Sequence, residues 1–300
     1  VPPAAAPGGT VTLPGSLLYI ARAVPRGSHY RGVVSVLTLP QGKLTATIRL
    51  KGFGTGVCSD TSGNVWVDVG SQAGKNRFEF NLYEYAHGGT TPIANIHVEH
   101  AHDLAGDCAV DPTTGNLAVM VGTLNGGLPN AYVYVWAGAR EGKPQSFSLP
   151  FSPVACAYDD HGNLFADGYI GSTVFFAFGE LVKRQHTFLN IALDKLANSF
   201  PGGIAWDGKY IDVETGRFAR HPEIYRVAVS GSIGHVAGIV HINRLYYAAW
   251  YAIEGDAIVA TSGHNGDAVG LFSYPEGGKA TKIIGPYPLT PRGLAISIGG

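Results

Sequence analysis

The chain is poor in charge. Of its 300 residues, 21 are Lys or Arg and 22 are Asp or Glu, 14% in all, for a formal net charge of −1. A nucleic-acid binder normally carries a basic excess on one face, so no nucleic-acid partner is expected. Long apolar runs are missing as well. None approaches the roughly 20 residues that cross a bilayer as a helix, and no transmembrane segment is expected. Long capped helical patterns are absent, and methionine occurs once. No P-loop, GxSxG or Rossmann fingerprint occurs, which leaves nucleotide and serine-hydrolase chemistry without support. Cysteine is scarce at three, an odd number that rules out a complete set of intrachain disulfides.

Glycine and tyrosine are plentiful, at 42 and 15 residues, and apolar residues make up 45%. That composition suits short strands joined by tight turns around an ample core. The organising stretch is GDCAVDPTTGNLAVMV from Gly106 to Val121: an apolar strand, an Asp-containing turn closed by Gly115-Asn116, and a second apolar strand. The phrase returns as GVCSDTSGNVWVDV from Gly56, VACAYDDHGNLFADG from Val154 and GIAWDGKYIDVE from Gly203, and more faintly from Trp250 and Arg292. Aligned on the first strand, the repeated position is Cys58, Cys108, Cys156, Ile204, Tyr251 and Leu294, at intervals of 50, 48, 48, 47 and 43 residues. A period in the forties with paired strands in each unit predicts a β-propeller.

Five units, beginning near Gly56, Gly106, Val154, Gly203 and Trp250, each supply four strands. The N-terminal stretch supplies three, Leu17–Ala23, Gly32–Leu39 and Lys43–Leu50, and the C-terminal RGLAISI supplies one. Joining the two chain ends completes a sixth blade and removes the exposed edges of an open array. The expected fold is therefore all-β, a six-bladed β-propeller of four-stranded blades. Residues 16–300 form one domain behind a Pro/Ala/Gly-rich tail over 1–15. A chain opening VPPAAAPGGT, without Met or an apolar targeting core, reads as the mature end of an exported protein, periplasmic or extracellular. The three cysteines, taken as equivalent positions on successive inner strands, are expected to stay apart as buried free thiols. The aspartates Asp60, Asp111, Asp159 and Asp207 follow the first strand of their units and are expected to cap the turns.

The phrase CAVDPTTGNLAV resembles an NHL repeat and the wider group of gluconolactonase-, regucalcin- and strictosidine-synthase-like propellers. The resemblance spans residues 17–300. It implies the propeller fold and a range of activities, from protein binding to lactone hydrolysis. The hydrolases of that group hold a divalent cation in the central channel with strand-end acids and asparagines. In PGGIAWDGKYIDVET the acid position falls on Glu214, while Gly202 stands where the Asn would be. The early Glu of those enzymes has no counterpart in SLLYIARAV.

The densest polar cluster is HVEHAHDLAGD, with His97, Glu99, His100, His102, Asp103 and Asp107. It is read as the loop from the outermost strand of one unit to the innermost strand of the next, facing the channel. Imidazoles with carboxylates suit zinc or another divalent cation such as calcium, with His100, His102 and Glu214 as the metal candidates. Arg292, ahead of the last strand, is placed at the channel mouth as a partner for an anion. The expected function is an exported monomeric binding module that takes a protein or small-molecule ligand on one face. The alternative is a metal-dependent, lactonase-like hydrolase or a lyase acting at the channel, and whether the chain is an enzyme stays open.

Overall fold

A computed structural model of the chain describes residues 15–26, 29–74, 77–101, 103–123, 131–170, 175–195, 201–215, 222–243, 250–262, 268–285 and 291–299. Almost all of this is strand, because apolar and β-branched residues alternate between Asp- and Gly-bearing turns. The chain begins with β1 (Ser16–Arg26), β2 (His29–Thr38) and β3 (Leu44–Arg49). The next unit is β4 (Phe53–Ser59), β5 (Val65–Gly74), β6 (Arg77–Tyr85) and β7 (Pro92–Ala101). It is followed by β8 (Asp103–Val110), β9 (Leu117–Thr123), β10 (Tyr132–Trp136) and β11 (Gln145–Ser148). Then come β12 (Ser152–Tyr158), β13 (Leu164–Ile170), β14 (Phe175–Leu181) and the two-residue β15 (Leu189–Asn190) and β16 (Ala192–Leu193). The remainder comprises β17 (Pro201–Trp206), β18 (Ile211–Thr215), β19 (Glu223–Ser230), β20 (Ile233–Asn243), β21 (Tyr251–Glu254), β22 (Ala257–Ser262), β23 (Ala268–Ser273), β24 (Gly277–Ile284) and β25 (Pro291–Ile298).

Four sheets have four strands, in the orders β25-β1-β2-β3, β4-β5-β6-β7, β8-β9-β10-β11 and β12-β13-β14-β15. In the first, the two chain ends pair antiparallel, with Leu18 opposite Ile296 and Ile20 opposite Leu294. The fifth sheet has nine strands and contains two antiparallel runs, β17–β20 and β21–β24. They join only where β20 and β24 pair in parallel, Ile242 with Gly278 and Asn243 with Lys279. The first strands of the units stand in a closed circle: β4 packs beside β8, β8 beside β12, β12 beside β17, β17 beside β21, β21 beside β25, and β25 beside β4.

The core is divided accordingly. Apolar clusters fill the spaces between successive units, for example Trp66, Phe80 and Ile96 against Leu117, Val119 and Trp136. Another sets Met120, Val133 and Phe147 against Leu164, Ala166 and Leu181. The cluster of Tyr19, Val34 and Val36 against Val57, Val65 and Val67 closes the circle between the chain-end sheet and the next. Both faces of each middle strand are therefore buried, which explains their nearly continuous apolar runs.

One expectation is corrected. Cys58 and Cys108 form a disulfide with Cα atoms 5.6 Å apart, and Cys156 alone is free and buried. The three positions are not equivalent. Cys108 lies opposite Val119 and Cys156 opposite Ala166, each three residues before its turn Asp. In the preceding unit that register belongs to Val57, opposite Val67, while Cys58 faces Trp66, one residue nearer the turn. A one-residue offset moves a side chain to the other face of its strand. Cys58 thus points toward β8 and Cys108 back toward β4, and the two sulfurs meet between neighbouring units.

Candidate functional site

In four units the first turn is built by its aspartate. Asp60 accepts the backbone N–H groups of Ser62 at 2.9 Å and Asn64 at 2.8 Å. Asp159 does the same for His161 and Asn163, at 2.9 and 2.8 Å. Asp111 accepts the Thr113 N–H and the hydroxyls of Thr113 and Thr114, which hold its carboxyl below the usual range against the opposing effect of burial. Glycine at φ +81° in Gly63 and +72° in Gly115 lets the chain reverse where other residues would be strained. These side chains are committed to the turn, as the sequence implied.

The circle of first strands encloses a cavity of about 410 Å³. Its wall includes the apolar residues Val57, Ala109, Ala157, Ile204, Ala252 and Leu294, and it opens among the turn residues Asp60, Thr61 and Pro112. At the other end lies Asp107, which accepts the Cys156 N–H at 3.1 Å. Burial pushes its carboxyl up to about 7, helped by the charge of Asp68 and opposed by the N–H groups of Cys156 and Cys108.

Acids beneath this end have a structural task. The first strands bulge, with register breaks between Gly54 and Val57, between Ala105 and Cys108, between Pro153 and Ala155, and between Pro201 and Ile204. A bulge leaves backbone N–H groups without a ladder partner. Buried Asp68 takes the Gly56 N–H, and Asp167 takes that of Ala155 at 2.9 Å. Glu214 occupies the same place on its second strand, fully buried. A Cβ on Gly202 would fall 1.3 Å from Glu214 Oε2.

No known family model matches the chain, and no curated protein does. Solved structures do match it. Hydrazine synthase of Kuenenia stuttgartiensis superposes with a TM-score of 0.57 at 13% identity, over 85% of this chain and 83% of that one. TolB from Acinetobacter baumannii superposes with a TM-score of 0.58 at 12% identity, over 94% of this chain and 66% of TolB, just under two thirds of its length. The chain is a β-propeller. At these identities the likeness concerns the fold alone.

The propeller places the sequence-predicted residues in several different surroundings. The described residues of 97–107 do not form a loop: 97–101 belong to β7, which stays paired with β6 as far as Ala101 opposite Phe78, and 103–107 belong to β8. His97 is exposed on the outermost strand, where its Nδ1–H donates to Asn81 Oδ1 at 3.0 Å. Asp107 faces the central cavity. His97 is on the outermost strand of one sheet and Asp107 on the innermost strand of the next, and of the two only Asp107 lines the cavity. Glu99 and His100 lie in β7 and Asp103 in β8, but the positions of their side chains, and His102 altogether, fall outside the described residues. Arg292 is exposed at the start of β25 and does not line the cavity.

The described residues do not fit the cation of the hydrolase group. Glu214 is enclosed within its blade and off the cavity, and its carboxylate fills the space over Gly202 where that group's Asn would stand. Among the described residues, three metal-ligating side chains come within reach of one another only at Asp159, Asp160 and His161, in an otherwise exposed turn.

Sequence reasoning found Asp107 but missed Trp206 and Glu254, both of which line the cavity. Their signal was available: each is the last residue of a first strand, in GIAW and YAIE.

A polar chain lies beside the cavity wall. Tyr251 donates to the Asp212 carbonyl at 2.7 Å, and the Tyr274 hydroxyl sits 2.5 Å from Asp207 Oδ2 and 2.7 Å from Asp212 Oδ2. One phenol proton serves one carboxylate, so two such short contacts require a second proton. Asp212 is the carboxyl able to carry it, because burial pushes it up to about 7. Asp207 stays ionised, held by Arg226 at 2.9 Å.

Proposed function

We propose that residues 16–300 form a single six-bladed propeller of the NHL and gluconolactonase type, exported, that binds a small molecule through the face carrying the Asp turns. The observation behind this reading is the cavity of about 410 Å³, walled by first strands from every unit and open on that face. A cavity of this size suits a compact organic ligand. The blade count follows if the nine-stranded sheet is divided at the two-residue parallel junction between β20 and β24. Export is supported by the Cys58–Cys108 disulfide, because such bonds persist in oxidising compartments. The binding reading is preferred to the hydrolase because Glu214 lies off the cavity.

The test is retention of small molecules from native extract by the wild-type protein and by Ala252→Trp, which fills the cavity from its wall. Compounds enriched by the wild type and lost in the variant, without turnover, support the reading. Equal retention by both proteins refutes it.

A further inference from the structure

A second cleft lies away from the central channel. It occupies about 550 Å³ between the β8–β11 and β12–β15 units, among their Asp-turn residues Asp111, Thr114 and Gly162. Its floor is apolar: Val135 and Phe147 of one unit meet Leu164 and Leu181 of the next. The cleft opens where the outer edge of the second of these units is short. β15 pairs with β14 only at Gly179 and Glu180, so residues 182–188 run outside the ladder.

That connection is strapped across to the neighbouring unit, and its residues from Val182 to His186 line the cleft. The Lys183 N–H donates to Asn163 Oδ1 at 3.0 Å, and its ammonium donates to Thr113 Oγ1 of the other unit at 2.6 Å. The His186 ring lies nearly parallel to that of Phe147, with centroids 6.5 Å apart. Between these two anchors Arg184 is held at φ +68°, a conformation that strains a residue with a Cβ. Strain of that kind collects at ligand clamps.

The charge of the strap is not spent within the fold. Beside the Tyr158 phenol, the ionisable side chains lining the cleft are Asp111, Lys183, Arg184 and His186. Asp111 is taken up by Thr113 and Thr114 of its own turn, and Lys183 offsets its charge. Arg184 is exposed and has neither a hydrogen bond nor an ion pair among the described residues. A guanidinium presents parallel N–H donors that match a carboxylate. One of the three ammonium donors of Lys183 goes to Thr113, and two remain. The floor can desolvate an apolar body beside them.

Independently of the central cavity, we propose that this cleft binds a compact organic carboxylate, its head held by Arg184 and Lys183 and its apolar body laid on Phe147, Leu164 and Leu181.

The test is calorimetric titration of phenylacetate, 2-phenylethanol and phenethylammonium on the wild type, Arg184→Gly and Ala252→Trp. Phenylacetate should bind about fivefold more tightly than 2-phenylethanol, and phenethylammonium least. Arg184→Gly should remove that preference while melting no lower than the wild type, because glycine relieves the left-handed backbone. Ala252→Trp, which fills the central cavity, should leave phenylacetate binding unchanged. On the wild type, phenylacetate should also shift the ring-proton resonances of His186, assigned through His186→Gln, a readout that stands even if Arg184→Gly fails to fold. Phenylethanol or phenethylammonium matching phenylacetate, an undiminished preference in Arg184→Gly, or unmoved His186 resonances would overturn the proposal. Loss of phenylacetate binding in Ala252→Trp would overturn it too, by placing the anion in the central cavity.

Discussion

Removing the Cys58–Cys108 bond measures how strongly two neighbouring units are tied together. The bond joins residues 50 apart in sequence. Treated as loop closure in the unfolded chain, a crosslink of that span lowers its entropy by about 14 cal/mol/K, or about 4 kcal/mol at 25 °C. Unfolding entropy of about 2.1 cal/mol/K per residue over a chain of this length converts that into a fall in Tm of about 6 °C. The assay is thermal unfolding by circular dichroism of the wild type with and without reductant, beside Cys58→Ser/Cys108→Ser. Titration of thiols in denaturant, without reductant, should find one per chain, from Cys156. Three titratable thiols, or a Tm unmoved by reduction and by the double substitution, would refute the register argument that brings the sulfurs together.

Gly202→Ala should destabilise the fold by about 1–3 kcal/mol, read from urea midpoints, because its Cβ would collide with the fully buried Glu214 side chain; an unchanged midpoint contradicts the assigned place of Glu214. Asp60→Ala should cost about 1–2 kcal/mol through three lost acceptor contacts in the turn, with Asp60→Asn costing less, measured the same way. Stability should decline with rising pH. Asp212 has an ordinary value of 3.8 and stands at about 7 in the fold, so its contribution is whole below the lower value and lost as pH climbs through the upper one. The change is on the order of 4 kcal/mol, and Asp107 acts in the same direction. Unfolding free energies at pH 5 and pH 7.5 check this, and Asp212→Asn should flatten the slope.

Much of this was written along the chain. The interval in the forties, the strand–Asp turn–strand phrase and the division of one sheet between the chain ends follow from local pattern, because each unit repeats the same alternation and turn chemistry. The turn aspartates were legible for the same reason: an Asp followed by Gly-Asn satisfies its own backbone within five or six residues. Cys58 shows where such reading stops. It stands two residues before its turn Asp where Cys108 and Cys156 stand three, and strand parity converts that into a change of face that alignment on the cysteines conceals. The 97–107 cluster failed differently, because dense polarity suggested a loop while ladder pairing with β6 and with β9 kept its described residues in strands, His97 on the outer strand of one sheet and Asp107 on the inner strand of the next.

The repeat, the turns and the all-β class are therefore properties of the sequence by itself, since they depend on residues a few places apart. The disulfide, the cavity and the cleft beside Arg184 were decided by tertiary structure. Their partners lie one or more units away in the chain, and only closure of the strand circle brings six separate segments around a common axis.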